Sequence, residues 1–430
     1  MNPTEVSEVS ARRVYDSRGR PTLEAEVSLC GGARGRAIAP AGASRGTREA
    51  IDLRDGGRRL GGLDVVQAIA NVNGPIAATL VGQEAVDQPL IDRLLVELDG
   101  TPQKSRLGGN ATVAVSMAVA HAAAAALGTP LWSYLAGAKP VTLPLPEIQI
   151  FGGGAHAGRR LDVQDLMVMP VGAQSFAEAL AMVADVYRAA GELMADEGKL
   201  AGVADEGGHW PQFDSNEQAL DTLMRAIERA GHRAGSEIAI SLDVAASELH
   251  RDGRYLLALD GRELDRDGMT ALMLRWIDRY PIASIEDPFG EDDRDGWVAL
   301  ARAAGTRVQI VGDDYLTTDA ERVVRAASDA ACNAVLVKPN QAGTLTEALA
   351  ALQAGRRHAF GTIVSARSGE TEDVTIAHLA VGWNAGQLKV GSFARGERMA
   401  KWNEVLRIEE SLGAQARFAG AGALPIAWAT

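Results

Sequence analysis

Six short runs decide how this chain folds: IAISLD (238–243), IASIE (282–286), VQIVGD (308–313), NAVLVK (333–338), GTIVS (361–365) and GQLK (386–389). Each is brief, mostly apolar and suited to a pleated backbone. Between them lie helical patterns, such as 218–230, which sets Leu220, Leu223, Met224 and Ile227 on one face. Thr318-Asp-Ala-Glu321 and Thr344-Leu-Thr-Glu347 read as capping boxes that open two helices. Strands alternating with helices at this spacing are parallel and joined by right-handed crossovers. So many units favour an α/β barrel of the (βα)8 type, with an open doubly wound sheet as the alternative.

The ends of these runs carry the chemistry. In order they stop at Asp243, Glu286, Asp313, Lys338, Ser365 (with Arg367 just beyond) and Lys389. In a barrel, all of these ends open onto one mouth. A single strand-end acid usually caps the next helix or pairs with a surface arginine. Three in successive strands, facing two lysines, point instead to a shared cation. An all-oxygen set selects magnesium, manganese or calcium over zinc. A lysine in a crowded, cationic and partly desolvated mouth is expected to have a lowered pKa and to serve as a general base.

Working outward, the chain to about residue 135 is mixed. Residues 23–28 alternate as a strand, 38–48 form a Gly- and Ala-rich loop, and 111–128 read as a buried Ala-rich helix. The Pro- and Gly-containing join at 137–146 divides an N-terminal α+β domain, 1–136, from a barrel domain, 137–430. A chain of 430 residues with 47% hydrophobic and 23% charged residues has an ordinary globular composition. Its net charge of −13, without a basic run, excludes nucleic acid and anionic membranes as expected partners. Cys30 and Cys332 give neither a disulfide framework nor zinc spacing, and both are expected to be buried. The polar start MNPTEVSEVS is unlike a signal peptide, and no apolar stretch suggests a membrane span. The expectation is a cytoplasmic enzyme.

Two further segments bring polar groups. Gly152-Gly-Gly-Ala-His-Ala-Gly158 carries His156 on flexible backbone just before the barrel runs. Val203-Ala-Asp-Glu-Gly-Gly208 sets Glu206 beside two glycines, where an acid can approach a substrate; the plainer reading is an acidic turn.

From Asp16-Ser-Arg-Gly19 to Phe418-Ala-Gly420, the chain resembles the enolase family. The most specific blocks are SLDVAASE (241–248), SIEDPF (284–289), VGDD (311–314), RSGETED (367–373) and RIEESLG (407–413). The resemblance implies an α+β domain capping a barrel with one irregular opening hairpin. It implies a magnesium-dependent lyase that removes the proton next to a carboxylate and eliminates water, taking 2-phosphoglycerate to phosphoenolpyruvate. It assigns a first magnesium to Asp243, Glu286 and Asp313, and a second to a site helped by Ser44 in the mobile loop 40–46. Lys338 would be the base, Lys389 the partner of the dianion, and Glu206 the acid at the departing hydroxyl. Arg367 and Ser368 would clamp the phosphate of a small phosphorylated carboxylate. His156 matches the family's loop histidine, and a homodimer is implied.

Several positions depart from the family pattern. Ala366 replaces a histidine, Asp165 a longer Glu, and Gly152 an Asn; Pro339 follows the base. Ala41 and Arg45 stand for Ser and Thr in the mobile loop, and His209 and Trp210 for Phe and Ala. Metal ligands and lysines are intact while the hydroxyl-leaving and loop side is remodelled, which a second anionic group on the substrate would suit. Three functions are compatible: an enolase, a relative in phosphonate metabolism such as a carboxyphosphonoenolpyruvate synthase, or a non-catalytic binding protein on the same scaffold.

Overall fold

The alternation at 23–28 becomes β2 (Pro21–Leu29), the middle of a three-stranded antiparallel sheet between β1 (Val6–Tyr15) and β3 (Arg34–Ile38). The computed structural model describes residues 2–43, 45–137 and 139–428; Ser44 lies outside the described residues. Against this sheet packs α1 (Gly109–Ala126), the Ala-rich helix, with fifteen of its residues buried. By length and composition it is the one described helix able to cross a membrane, yet 83% of it is buried inside the protein. Its high apolarity is that of a core helix. Small side chains let sheet and helix approach closely. A Cβ on Gly35 in β3 would collide with the backbone of Ala118 and Ala122.

The runs that opened the sequence reading close into a barrel of eight strands. They are β4 (Leu145–Gly152), β5 (Asp165–Met169), β6 (Ala239–Asp243), β7 (Ile282–Glu286), β8 (Gln309–Gly312), β9 (Ala334–Val337), β10 (Gly361–Ser365) and β11 (Gly386–Ser392). β11 pairs with β4 and shuts the ring, so the doubly wound alternative is excluded. The order is not parallel throughout: β5 runs antiparallel to both β4 and β6, an opening hairpin, and the remaining neighbours are parallel. Outside the ring, the amphipathic segment forms α2 (Asn216–Arg229), capped by Ser215, with Leu220, Leu223 and Ile227 buried.

Three local expectations change. Thr344 does cap α4 (Leu345–Arg357), accepting from the Glu347 N–H, but α3 (Ala320–Ser328) is capped by Asp319 and not Thr318. The Thr318 hydroxyl is drawn inward to Gln341 at 2.6 Å and cannot serve the helix. Cys332 is buried as expected, but Cys30 is exposed, in the turn that follows β2. Lys389 does not end a strand. β11 continues to Ser392 through an irregularity between Lys389 and Gly391.

Because Gly35 has backbone, not flexible side chain, as its neighbour, Gly35→Ala should destabilise the protein by about 1–3 kcal/mol, read as a lowered urea midpoint.

Candidate active site

Each strand end delivers its residue by simple register. Asp165, Asp243 and Glu286 are lateral neighbours across β5, β6 and β7, and Lys389 sits between Ser365 on β10 and Glu147 on β4. Lys338 follows β9 and serves as the residue before a short helix, Pro339–Ala342. Proline there needs no amide partner and fixes the turn that aims the lysine, so this departure is accommodated by helix geometry. Gly391 lies at φ 118°, with the Glu206 carbonyl where a Cβ would point, and the Ser392 N–H donates to that carbonyl at 2.8 Å. The irregular strand thereby fastens the Glu206 turn to the barrel.

The mouth holds a dense, buried charge array. Lys389 Nζ donates to Asp243 Oδ2 at 2.9 Å and Glu286 Oε2 at 2.8 Å, and lies 3.7 Å from Asp165 Oδ2. Lys338 Nζ donates to Asp313 Oδ2 at 2.5 Å. Burial opposes the charge on both ammonium groups. For Lys338 burial is the largest influence, but the Asp313 and Glu286 carboxylates together raise the pKa; for Lys389, Asp243 and Glu286 raise it well above the usual range. In the protein alone the lysine pKa is therefore raised, not lowered as expected for a mouth that holds a cation. The surroundings are acid-rich rather than cationic, and carboxylates within hydrogen-bond reach keep a lysine charged.

The carboxylates show the complementary strain. Burial and the neighbouring Asp243 push Glu286 well above the usual carboxylate range. Its Oε1 is buried without a hydrogen-bond partner, as is Asp165 Oδ2. Asp287, Asp313 and Asp314 offer oxygens all within 4.8 Å of one another. Asp287 is already committed: it accepts the Asp313 and Asp314 N–H groups at 2.9 and 2.8 Å, holding the β8 end in place. Orphaned carboxylate oxygens in an all-oxygen set fit a hard divalent cation such as magnesium; among the described residues the acids whose oxygens already converge are Asp287, Asp313 and Asp314, while Asp243 and Glu286 are engaged by Lys389. Ser44, the expected helper of a second ion, lies outside the described residues.

On the opposite side, His156 is buried between two acids. Its Nδ1 is 3.1 Å from Asp165 Oδ1 and its Nε2 is 3.8 Å from Glu206 Oε1. Gln149 Nε2 also donates to Asp165 Oδ1, and its Oε1 accepts the Gly208 N–H at 2.9 Å. Burial opposes the imidazolium, but Glu206 and Asp165 raise it to about 9; Asp165, despite burial, is lowered to about 2 by His156. His156 is therefore an imidazolium at neutral pH, set between the two acids.

The anion-binding side is built from three parts of the chain. Arg367 NH1 donates to Glu49 Oε2 at 2.9 Å and to Asn340 Oδ1 at 3.1 Å. Burial opposes its charge; Glu49 more than compensates, so the guanidinium stays charged. Ser368 Oγ accepts from Arg18 NH1 at 3.1 Å, and Arg18 NH2 also reaches the Ala41 carbonyl at 2.8 Å. The Asp16-Ser-Arg-Gly19 motif thus ties the N-terminal sheet to the clamp loop. Arg45 pairs with Asp52 at 2.9 Å, so its charge is met by a neighbouring acid. His209 and Trp210 are absorbed structurally: His209 stacks on Tyr187, ring centroids 4.1 Å apart, and Arg160 lies 5.7 Å over the Trp210 ring.

Sequence reading missed Glu49, Gln149, Gln341 and Glu147. Gln341 links Glu49 Oε1 at 3.2 Å to Asp313 Oδ1 at 2.9 Å. Glu147 is buried inside the barrel and accepts from Ser241 at 2.8 Å. Glu147 and Gln149 carried a local signal, polar groups inside the apolar run Leu145–Gly152.

A small α+β cap over a barrel whose strand ends gather acids and lysines defines a two-domain lyase of the enolase superfamily. Residues 6–135 match the family described as enolase, N-terminal domain, and residues 140–425 match enolase, C-terminal TIM barrel domain. The chain belongs to the enolase family.

A raised histidine pKa sets a pH window. The charged imidazole stabilises the fold fully below its unfolded value of 6.5 and loses that contribution as pH rises through about 9. Urea midpoints should fall between these limits, and less steeply in His156→Gln.

Proposed function

We propose that the protein removes the proton alpha to the carboxylate of 2-phosphoglycerate and eliminates water to give phosphoenolpyruvate. The observation that carries this reading is the pairing of Lys338 and Lys389 with three strand-end carboxylates in one buried mouth. Magnesium held by Asp243, Glu286 and Asp313 would neutralise the carboxylates that keep Lys338 charged and would stabilise negative charge growing on the substrate carboxylate.

The chain's own groups divide the remaining work. Lys338, once neutral, accepts the C2 proton at Nζ. Lys389, anchored by Asp243 and Glu286, presents positive charge to the dianion. Arg367 and Ser368 hold the phosphoryl group; a planar guanidinium fixed by Glu49 suits its geometry. Glu206 gives its proton to the departing 3-hydroxyl, and His156, held by Asp165, positions that acid.

A relative acting in phosphonate metabolism is the second reading. It is supported by Ala366, buried at the mouth where a histidine donor would otherwise reach substrate.

Formation of phosphoenolpyruvate from 2-phosphoglycerate with magnesium, followed by ultraviolet absorbance, tests the first reading. Turnover should be ready in the wild type and fall roughly 10²–10⁴-fold in Lys338→Ala. Absence of turnover with continued exchange of the C2 proton would keep the proton-abstracting half and reject 2-phosphoglycerate as substrate.

A further inference from the structure

The mouth itself is cramped, about 20 Å³, yet a chamber of about 210 Å³ opens beside it. The two share Gln164, which lines both. Gln164 is 5% exposed; its Nε2 donates to Asp243 Oδ2 at 3.2 Å, while its Oε1 is buried with no hydrogen-bond partner. Gln164 stands where the two cavities adjoin, and its orphaned amide oxygen, closed off in this conformation, costs free energy unless something donates to it.

The chamber lies between the loop around Gly154–Leu161 and the segment 244–258. Its walls are mainly apolar, and Leu256 is 50% exposed into solvent. Arg159, paired with Glu248 at 2.5 Å, and Arg251 stand at its lining. With the charges nearly balanced, nothing here selects a strong anion. The space suits a chain of several atoms with hydroxyl donors.

Its placement fixes where such a chain would attach. Gln164 directly precedes Asp165, and the mouth around it also holds His156 and Glu206. These are the groups that the proposed function sets at the departing hydroxyl. Lys338, Arg367 and Ser368, which would hold C2 and the phosphoryl group, do not line the chamber.

We infer that the chamber is a second substrate subsite, which takes a hydroxylated substituent on the carbon that loses its hydroxyl, with the Asp162 and Glu248 carboxylates at its lining to accept from the hydroxyls and Gln164 Oε1 available once that side chain turns toward the chamber. This deepens the proposed function and rests on it for the direction of attachment. The substrate class is then a 2-phosphorylated hydroxy acid longer than three carbons. The reaction balances as before: the C2–H and C3–O bonds break, a C2–C3 double bond forms, and the proton and hydroxyl leave as water.

The probe is a 2-phosphopentonate, which adds two hydroxylated carbons at C3, compared with 2-phosphoglycerate. Binding is measured by calorimetry with magnesium in Lys338→Ala protein, and turnover in the parent. The pentonate should bind at least tenfold more tightly. Ala258→Trp, which fills the chamber from an exposed position, should erase that difference and leave 2-phosphoglycerate affinity within twofold. Leu256→Glu, at a half-exposed wall position, should do the same and covers the case in which the tryptophan variant misfolds.

Equal affinities for the two acids, or a preference that neither variant reduces, would overturn the subsite. Chamber-dependent pentonate binding without turnover of either acid would uphold the subsite and reject elimination. Turnover of 2-phosphoglycerate with no preference for the longer acid would do the reverse.

Discussion

Everything in the barrel depends on balancing buried charge. Asp165, Asp243, Glu286, Asp287, Asp313 and Asp314 are all within 6% exposure, crowded at one end of a ring of strands. Carboxylates in that position repel strongly, and an unpaired one carries a desolvation penalty of several kcal/mol. Lys338, Lys389, His156 and backbone amides supply the compensation. The compensation is incomplete, as the raised Glu286 and Asp287 and the partnerless Glu286 Oε1 record. A site so arranged gains stability from any divalent cation that fits it, and substrate chemistry can use the same deficit.

Such an array persists only if its carriers cannot relax. Beneath the acids, Gln309 exchanges hydrogen bonds with Gln387 at 2.9 and 2.8 Å and reaches Ser284 at 3.0 Å, giving the barrel interior a fixed polar layer. Beside them, Arg398 and Lys401, both 0% exposed, donate to the carbonyls of Arg367, Ser368 and Thr371. Two fully buried cations are therefore spent on holding the clamp loop. Arg18 holds the same loop from the N-terminal sheet. Precision at the mouth comes from these supports, since a displaced group loses much of its catalytic value.

The fold and much of the site were legible because they are written locally. An apolar run that stops on Asp243 or Glu286 shows both the strand and the strand-end acid. What escaped was non-local. Glu49 meets Arg367 across 318 residues and Gln341 across 292, so no local pattern could announce either. Lys389 was misplaced by its strand because the irregularity arises from packing of Gly391 on Glu206, a contact between distant segments. The direction of the lysine pKa in the protein alone escaped for a related reason. Its sign depends on which charges lie nearest, and spacing along the chain does not give distance.

The structure also sorts the departures from the family pattern. Pro339, Arg45, His209 and Trp210 are each explained by helix geometry, an ion pair or ring packing. At Gly152 a side chain would meet the Ala204 Cβ, with the Gln149 amide also nearby, so this departure too has a packing cause. Asp165 and Ala366 remain. Asp165 is shorter than the family's Glu yet still reaches His156, held in place by Gln149. Ala366 carries no donor in place of the missing imidazole, and it lines the mouth but not the chamber. The altered donor thus belongs to the mouth itself, and the chamber adjoins that mouth at Gln164. The lysines and acids of the mouth keep their positions beside both features, so the departures fall around the charge array and not within it.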